Sequence, residues 1–194
     1  SSFGTVKSDL SAGIASKDLN LFALGSVLQS NGFRDNNNTN RKNLLLNLQH
    51  DFPKDFSLFV LLKATRMKAF IPSSVDLNTF INTPEKAASN WKNIEGYEDY
   101  DTGQFGISLD YSPGQNNRIS VAAFGNFRSA NELRPFNKLV EDSYYTGMRG
   151  YLRKTLITGN NEITLISGLE IFREKYDWST LSNENVRELL SDNR

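Results

Sequence analysis

Apolar and polar positions alternate along most of this chain. From Gly103 to Tyr111 the odd positions Phe105, Ile107, Leu109 and Tyr111 are apolar, while Gln104, Gly106, Ser108 and Asp110 are small or polar. A period of two marks a β-strand with one apolar face and one wet face. The pattern returns at Ile119, Val121, Ala123 and Phe127, against Arg118, Ser120, Asn126 and Arg128. It returns again at Tyr144, Thr146, Met148, Gly150 and Leu152, and at Ile163, Leu165, Leu169 and Ile171. Earlier segments are less regular. Leu44, Leu46 and Leu48 alternate despite Leu45, Phe56 to Ala64 keeps its even positions apolar, and Leu10, Ala12 and Ile14 oppose Asp9, Ser11 and Gly13. Leu19 to Leu28 is apolar on both faces, so its parity stays open. The pattern predicts eight strands, mostly of ten or more residues. Globular strands are typically about five or six residues long, whereas a tilted bilayer-crossing strand needs about 9–11. Length favours a membrane.

The connections alternate in size. Ser16-Lys17-Asp18, Pro53-Lys54-Asp55, Pro113 to Asn116 and Thr158 to Asn161 carry the residues of short hairpin turns. The other connections are long and polar: about 30–40, 68–102, 129–141, and Glu174 to the end. Antiparallel neighbours put all short turns at one end of the sheet and all long loops at the other, the asymmetry of outer-membrane barrels. The loop 68–102 is long enough to need structure of its own. Thr83-Pro84-Glu85 reads as an N-cap, a first-turn proline and an acid, which predicts a short helix over 86–92 carrying Trp91. The run Asp35-Asn36-Asn37-Asn38 reads as a solvated loop tip. The expected fold is all-β: an antiparallel up-and-down transmembrane β-barrel, with a short helix in one long outer loop.

Composition narrows the function classes. Among 194 residues, Lys plus Arg and Asp plus Glu number 22 each, so the basic surplus of a nucleic-acid binder is missing and no nucleic-acid partner is expected. Hydrophobic residues make up 38% but aromatics 11%, too many rings for a disordered chain. No apolar run approaches the roughly 20 residues of a membrane-spanning helix. Cysteine is absent and His50 is the one histidine, which excludes disulfide scaffolds and thiolate or His-rich metal sites. Ser1 to Gly4 has no signal-peptide character, leaving open a cytoplasmic protein, a processed one, or part of a longer chain.

No phosphate-binding glycine loop, paired-histidine helix or nucleophile elbow is present. Neither an enzyme nor a bound cofactor is expected. His50, beside Asp51 at a strand end, reads as an interfacial histidine. The face opposite the apolar one carries Arg128, Arg149, Arg153 and Glu170. In a membrane barrel these charges must face the lumen, because a lipid-facing arginine at mid-bilayer costs about 2–4 kcal/mol. In a soluble sheet they would face water. Trp91, Tyr97, Tyr100, Phe136, Tyr144, Tyr145, Tyr176 and Trp178 lie in or beside the long connections. They would line a ligand mouth or form an aromatic girdle at headgroup level. The candidate ligand-binding residues are Trp91, Tyr97, Tyr100, Arg128, Arg134, Tyr145, Arg149 and Trp178, with no catalytic or metal-ligating candidate.

Several ordered stretches resemble the TonB-dependent outer-membrane receptors of the ferric-siderophore type. They are Ser30 to Asn36, Phe70-Ile71-Pro72, Thr83 to Trp91, Gly96 to Tyr100, Glu132 to Asn137 and Tyr145 to Gly150. The resemblance covers the first eight barrel strands, across residues 1–194. It implies a barrel of roughly twenty-two strands closed by a plug, with the plug and the remaining strands expected outside this sequence. By that resemblance the location is the Gram-negative outer membrane. The partners are membrane lipid, a ferric chelate or similarly sized nutrient, and TonB acting through the plug. Two other readings remain open on the residues alone: a complete eight-stranded outer-membrane barrel with a structural or adhesin role, and a soluble lipocalin-like binder of a small ligand.

Overall fold

The computed structural model describes residues 2–114, 116–183 and 189–192. Nine antiparallel strands form one sheet in strict chain order. They are β1 (Val6–Ala15), β2 (Leu19–Ser30), β3 (Thr39–Phe52), β4 (Phe56–Phe70), β5 (Tyr97–Tyr111), β6 (Asn117–Leu133), β7 (Lys138–Thr158), β8 (Asn161–Leu181) and β9 (Leu189–Asp192). Among the described residues β1 pairs only with β2 and β9 only with β8, so the sheet does not close on itself. A closed eight-stranded barrel is therefore not formed.

The alternation predicts the faces correctly. Phe105 on β5 stands opposite Leu62 of β4 and Gly125 of β6, and Ile107 opposite Val60 and Ala123. The apolar parity thus runs unbroken from strand to strand. It also resolves Leu19 to Leu28: Leu21 and Ala23 pair with Leu48 and Leu46, which places the odd positions of β2 on the apolar face. That face is open. Phe105, Ile107, Val121 and Leu165 are 43%, 46%, 49% and 56% exposed, and the buried apolar residues of the described chain are Ala87 and Ala130. A soluble ligand-binding barrel would seal this face inside, so the lipocalin-like reading does not fit.

The four short connections fall where the turn residues predict them, at 16–18, 53–55, 112–116 and 159–160. Lys54, Asp55, Gly114 and Gly159 supply the left-handed backbone that tight hairpins use. The opposite end differs from expectation in four places. The loop expected over 68–102 spans only 71–96, because β4 runs to Phe70 and β5 starts at Tyr97. The connection expected over 129–141 is only the turn 134–137, because β6 and β7 run on to Leu133 and from Lys138. The polar segment after Glu174 continues as strand to Leu181, and β9 follows. The loop helix also moves. α1 (Leu77–Asn82) is capped by Asp76, whose carboxylate accepts the Thr79 N–H at 2.8 Å, and Thr83 ends this helix instead of starting one. α2, Ser89–Asn93, carries Trp91 as expected but starts three residues later than the sequence predicts. Between them the Ala88 N–H is held by the Pro72 carbonyl at 2.9 Å, which keeps 84–88 from joining α2.

Cross-strand packing constrains the sheet at its glycines. A Cβ on Gly125 would stand 2.7 Å from both the Tyr145 carbonyl and the Phe105 ring, whereas one on Gly106 would meet nothing within 4 Å. Gly125→Ala is expected to lower the urea midpoint of the folded barrel by the equivalent of about 1–3 kcal/mol. Gly106→Ala is expected to leave it within error.

Candidate functional site

The polar face of β5 to β8 carries a continuous network. Glu98 and Tyr100 on β5, Arg128 on β6, Glu141 on β7 and Tyr176 and Trp178 on β8 share one parity. The Arg128 guanidinium donates to Glu98 Oε1 at 2.7 Å and lies 3.9 Å from Glu141. It also sits 4.4 Å above the Tyr100 ring, a cation–π arrangement. The Tyr176 hydroxyl donates to Glu141, and Trp178 stands directly across the ladder from it. One arginine is thereby held by two carboxylates and a ring, with both glutamates half-buried.

A second cluster lies farther down the same face. Tyr145 packs between Phe124 (5.8 Å, stacked) and Phe172 (5.2 Å, tilted). Arg149 donates to Glu170 Oε2 at 2.6 Å, and its guanidinium lies 5.4 Å from the Phe124 ring. Toward the short turns, Arg118 pairs with Asp110 at 3.3 Å. Five of the eight sequence candidates, Tyr100, Arg128, Tyr145, Arg149 and Trp178, thus share one surface.

The other three sit elsewhere. Arg134, in the β6–β7 turn, pairs with Glu132, a hydrogen bond that raises its pKa above the ordinary value. The Arg134 carbonyl accepts from Asn183 Nδ2 at 2.5 Å. The Trp91 ring packs on Gly96, where a Cβ would stand 2.5 Å from Trp91 Cε3 and 3.1 Å from the Leu133 carbonyl. Tyr97 lies on the apolar parity, its ring 4.1 Å from the Lys68 ammonium.

Sequence reasoning missed Glu98, Glu141 and the rings of Phe124 and Phe172. Carrying strand parity past the expected ends of β5 and β7 would have placed Glu98 and Glu141 beside Arg128. It also missed the fastening of the long loop. Arg34 donates through Nη1 to the Ser73 carbonyl at 2.6 Å, and through Nε and Nη2 to the Lys86 carbonyl at 3.0 and 2.8 Å. Asn36 Nδ2 donates to the carbonyls of Ile71 and Gly96 at 2.9 and 3.0 Å. The Asp35 N–H donates to the Glu85 carbonyl at 2.7 Å, and Asp35 pairs with Lys92 at 2.8 Å. The asparagine run is a latch, not a loose tip.

Solved structures share this architecture at low sequence identity. The ferric citrate transporter FecA in its unliganded form matches 98% of the chain with a TM-score of 0.78 at 13% identity. The alcaligin outer-membrane receptor FauA from Bordetella pertussis matches 93% at 0.72 and 9% identity. The ferric-catecholate import receptor Fiu from E. coli K12 matches 93% at 0.73 and 10% identity. The chain has the barrel fold of these outer-membrane receptors. It spans 30%, 27% and 33% of their respective lengths. No protein-family model and no curated protein matches it.

In a transmembrane barrel of this fold, an apolar face of this kind would form the outer wall and the polar face would line the lumen. Aromatic residues bracket the outer wall. Phe56 stacks on Tyr111 at 4.4 Å and His50 meets Phe52 edge-on at 4.3 Å near the short turns, with Phe127 paired across to Tyr144 toward the long loops. Between the levels of Tyr111 and Gly103, strands tilted by about 40° rise about 20 Å, near the height of an apolar barrel band.

Arg34→Ala is expected to raise hydrogen exchange at the Asp35 and Ala88 amides by at least about tenfold, because each charge-assisted bond to a carbonyl contributes about 1.5–3 kcal/mol. The Asp76 cap has a pH signature. Its bond to Thr79 holds the carboxyl below the usual carboxylate range, so the cap is complete at neutral pH and is lost as pH falls through that lowered value. The Thr79 amide resonance is expected to hold its shift down to strongly acidic pH and then move, and Asp76→Ala to show the moved shift at every pH.

Proposed function

We propose that this chain is part of the wall of a TonB-dependent receptor in the Gram-negative outer membrane, serving uptake of a ferric-siderophore-like complex or a nutrient of similar size. The observation that carries this reading is the inversion of the sheet: an open apolar face on one side and a ladder of arginine–carboxylate pairs and rings on the other, in a barrel fold shared with ferric-complex receptors. The substrate would be held by contacts, without covalent chemistry. Tyr100, Arg128, Tyr145, Arg149 and Trp178 would face it from the lumen, while Arg134, Trp91 and Tyr97 belong to the rim. An anionic chelate fits this surface because Arg128 can exchange Glu98 for a ligand oxygen while Tyr100 keeps its guanidinium in place. Release inward would need the plug and TonB, which supply the mechanical work in this scheme.

The test uses the full-length protein. Its deletion is expected to reduce accumulation of radiolabelled ferric chelates, and the purified receptor to bind one of them. Arg128→Ala is expected to weaken that binding about tenfold or more. Absence of binding to every ferric chelate tried, with unchanged iron uptake in the deletion strain, overturns the iron assignment. Orientation has its own check. Ile107→Arg is expected to abolish membrane assembly, since arginine on the lipid side costs about 2–4 kcal/mol at mid-bilayer, and Ser108→Arg to assemble normally.

A further inference from the structure

Above the apolar band, the outward positions of β3 and β4 change from leucines to cations. Lys42 pairs across the ladder with Arg66, and Asn40 with Lys68. These four side chains line a cavity of about 240 Å³. Acidic neighbours compensate it only in part. Arg66 Nε is 3.8 Å from Asp101, Asp99 stands in register with Lys68, and Lys42 makes no ion pair among the described residues. Asp142 and Asp177 share this face but lie on β7 and β8, so the positive pole belongs to β3 and β4. The Lys68 ammonium is steered by two rings, 4.1 Å from Tyr97 and 5.3 Å from Phe70.

A second cavity of about 230 Å³ adjoins the first and shares Asn40 and Lys68 with it. Gln29, Asn31 and Asn38 add their amides to its wall. Carboxamides present a donor and an acceptor side by side, the pairing that sugar hydroxyls need. Directly below the basic cavity the same face continues into exposed Leu44 and Leu62. Cations, amides and a greasy wall therefore follow one another along a single path on the outside of the barrel.

We infer that this cleft binds a phosphorylated glycolipid of the outer leaflet, with phosphate among Lys42, Arg66 and Lys68, sugar against the amides, and acyl chains over Leu44 and Leu62. The inference rests on the membrane orientation proposed above. A free phosphate could use the cations, but it would leave the amide pocket and the apolar wall unused.

The experiment uses full-length receptor in neutral detergent micelles doped with bis-phosphorylated lipid A or with its dephosphorylated form. Tighter binding of the phosphorylated form is expected. Each cation near a membrane surface is worth about fivefold, so Lys42→Ala with Arg66→Ala is expected to weaken that binding about 25-fold. Lys42→Arg with Arg66→Lys is expected to restore it, and Lys154→Ala, near the short turns at the other end of the wall, to change nothing. Equal binding of the two lipids, or unchanged affinity in the double alanine variant, overturns the inference. Displacement of the lipid by inorganic phosphate at matching affinity also overturns it, in favour of a free-anion site. Chelate uptake separates the two readings: normal uptake with either of these negative results sinks the lipid site alone, whereas a receptor missing from the outer membrane sinks the orientation on which both depend.

Discussion

Everything in this chain depends on a sheet that satisfies its own backbone and has no interior to bury its side chains in. Each neighbouring pair of strands is joined by an antiparallel ladder, yet among the described residues no large apolar side chain is fully buried. In water such a surface of Phe, Ile, Leu and Val would collapse onto itself or aggregate. In lipid the same surface is solvated, and the ladder becomes the requirement that a crossing chain leave no peptide group unpaired. Exposed leucine is then the condition of the fold and not a defect in it.

The polar face follows from the same constraint. Charges kept off the apolar side of the band accumulate on the other, where they neutralise one another across strands: Arg118 with Asp110, Arg149 with Glu170, Arg128 with Glu98 and Glu141. Rings stand among them because alternate residues of long strands project to the same side at a regular spacing. Past the apolar band β6, β7 and β8 continue as strand, which carries Trp178 and Glu141 beyond it on a rigid support. The loop between β4 and β5 reaches similar rigidity by another route, since Arg34 and Asn36 satisfy its carbonyls from the neighbouring loop. A ligand meeting this rim would find surfaces already positioned, with little ordering left to pay for.

Much of this was legible in the residues. Period-two alternation identified eight strands and their outward face, because one-sided burial in lipid leaves the same mark on a strand as one-sided burial in a core. Strand ends were less legible. Beyond the apolar band the alternation of apolar and polar positions fades, so Ser129 to Leu133 and Tyr176 to Leu181 read as loop although the ladder continues through them. The loop helix carrying Trp91 was legible, but its start was misplaced and α1 was missed, for a different reason. Thr83-Pro84-Glu85 has N-cap chemistry, but Asp76 has it as well, and tertiary bonds to Pro72 and Lys86 decided between them.

What the sequence alone determined is local and periodic: strand parity, the sites of the tight turns, and which side chains could tolerate lipid. These depend on a residue and its neighbours two positions away. Which arginine meets which glutamate, how Gly96 comes up against the Leu133 carbonyl, and how Arg34 reaches Lys86, fifty-two positions on, depend on the register between strands and loops. Only the folded sheet holds that register, because the contacts that define it join residues too far apart in the chain for any local pattern to encode them.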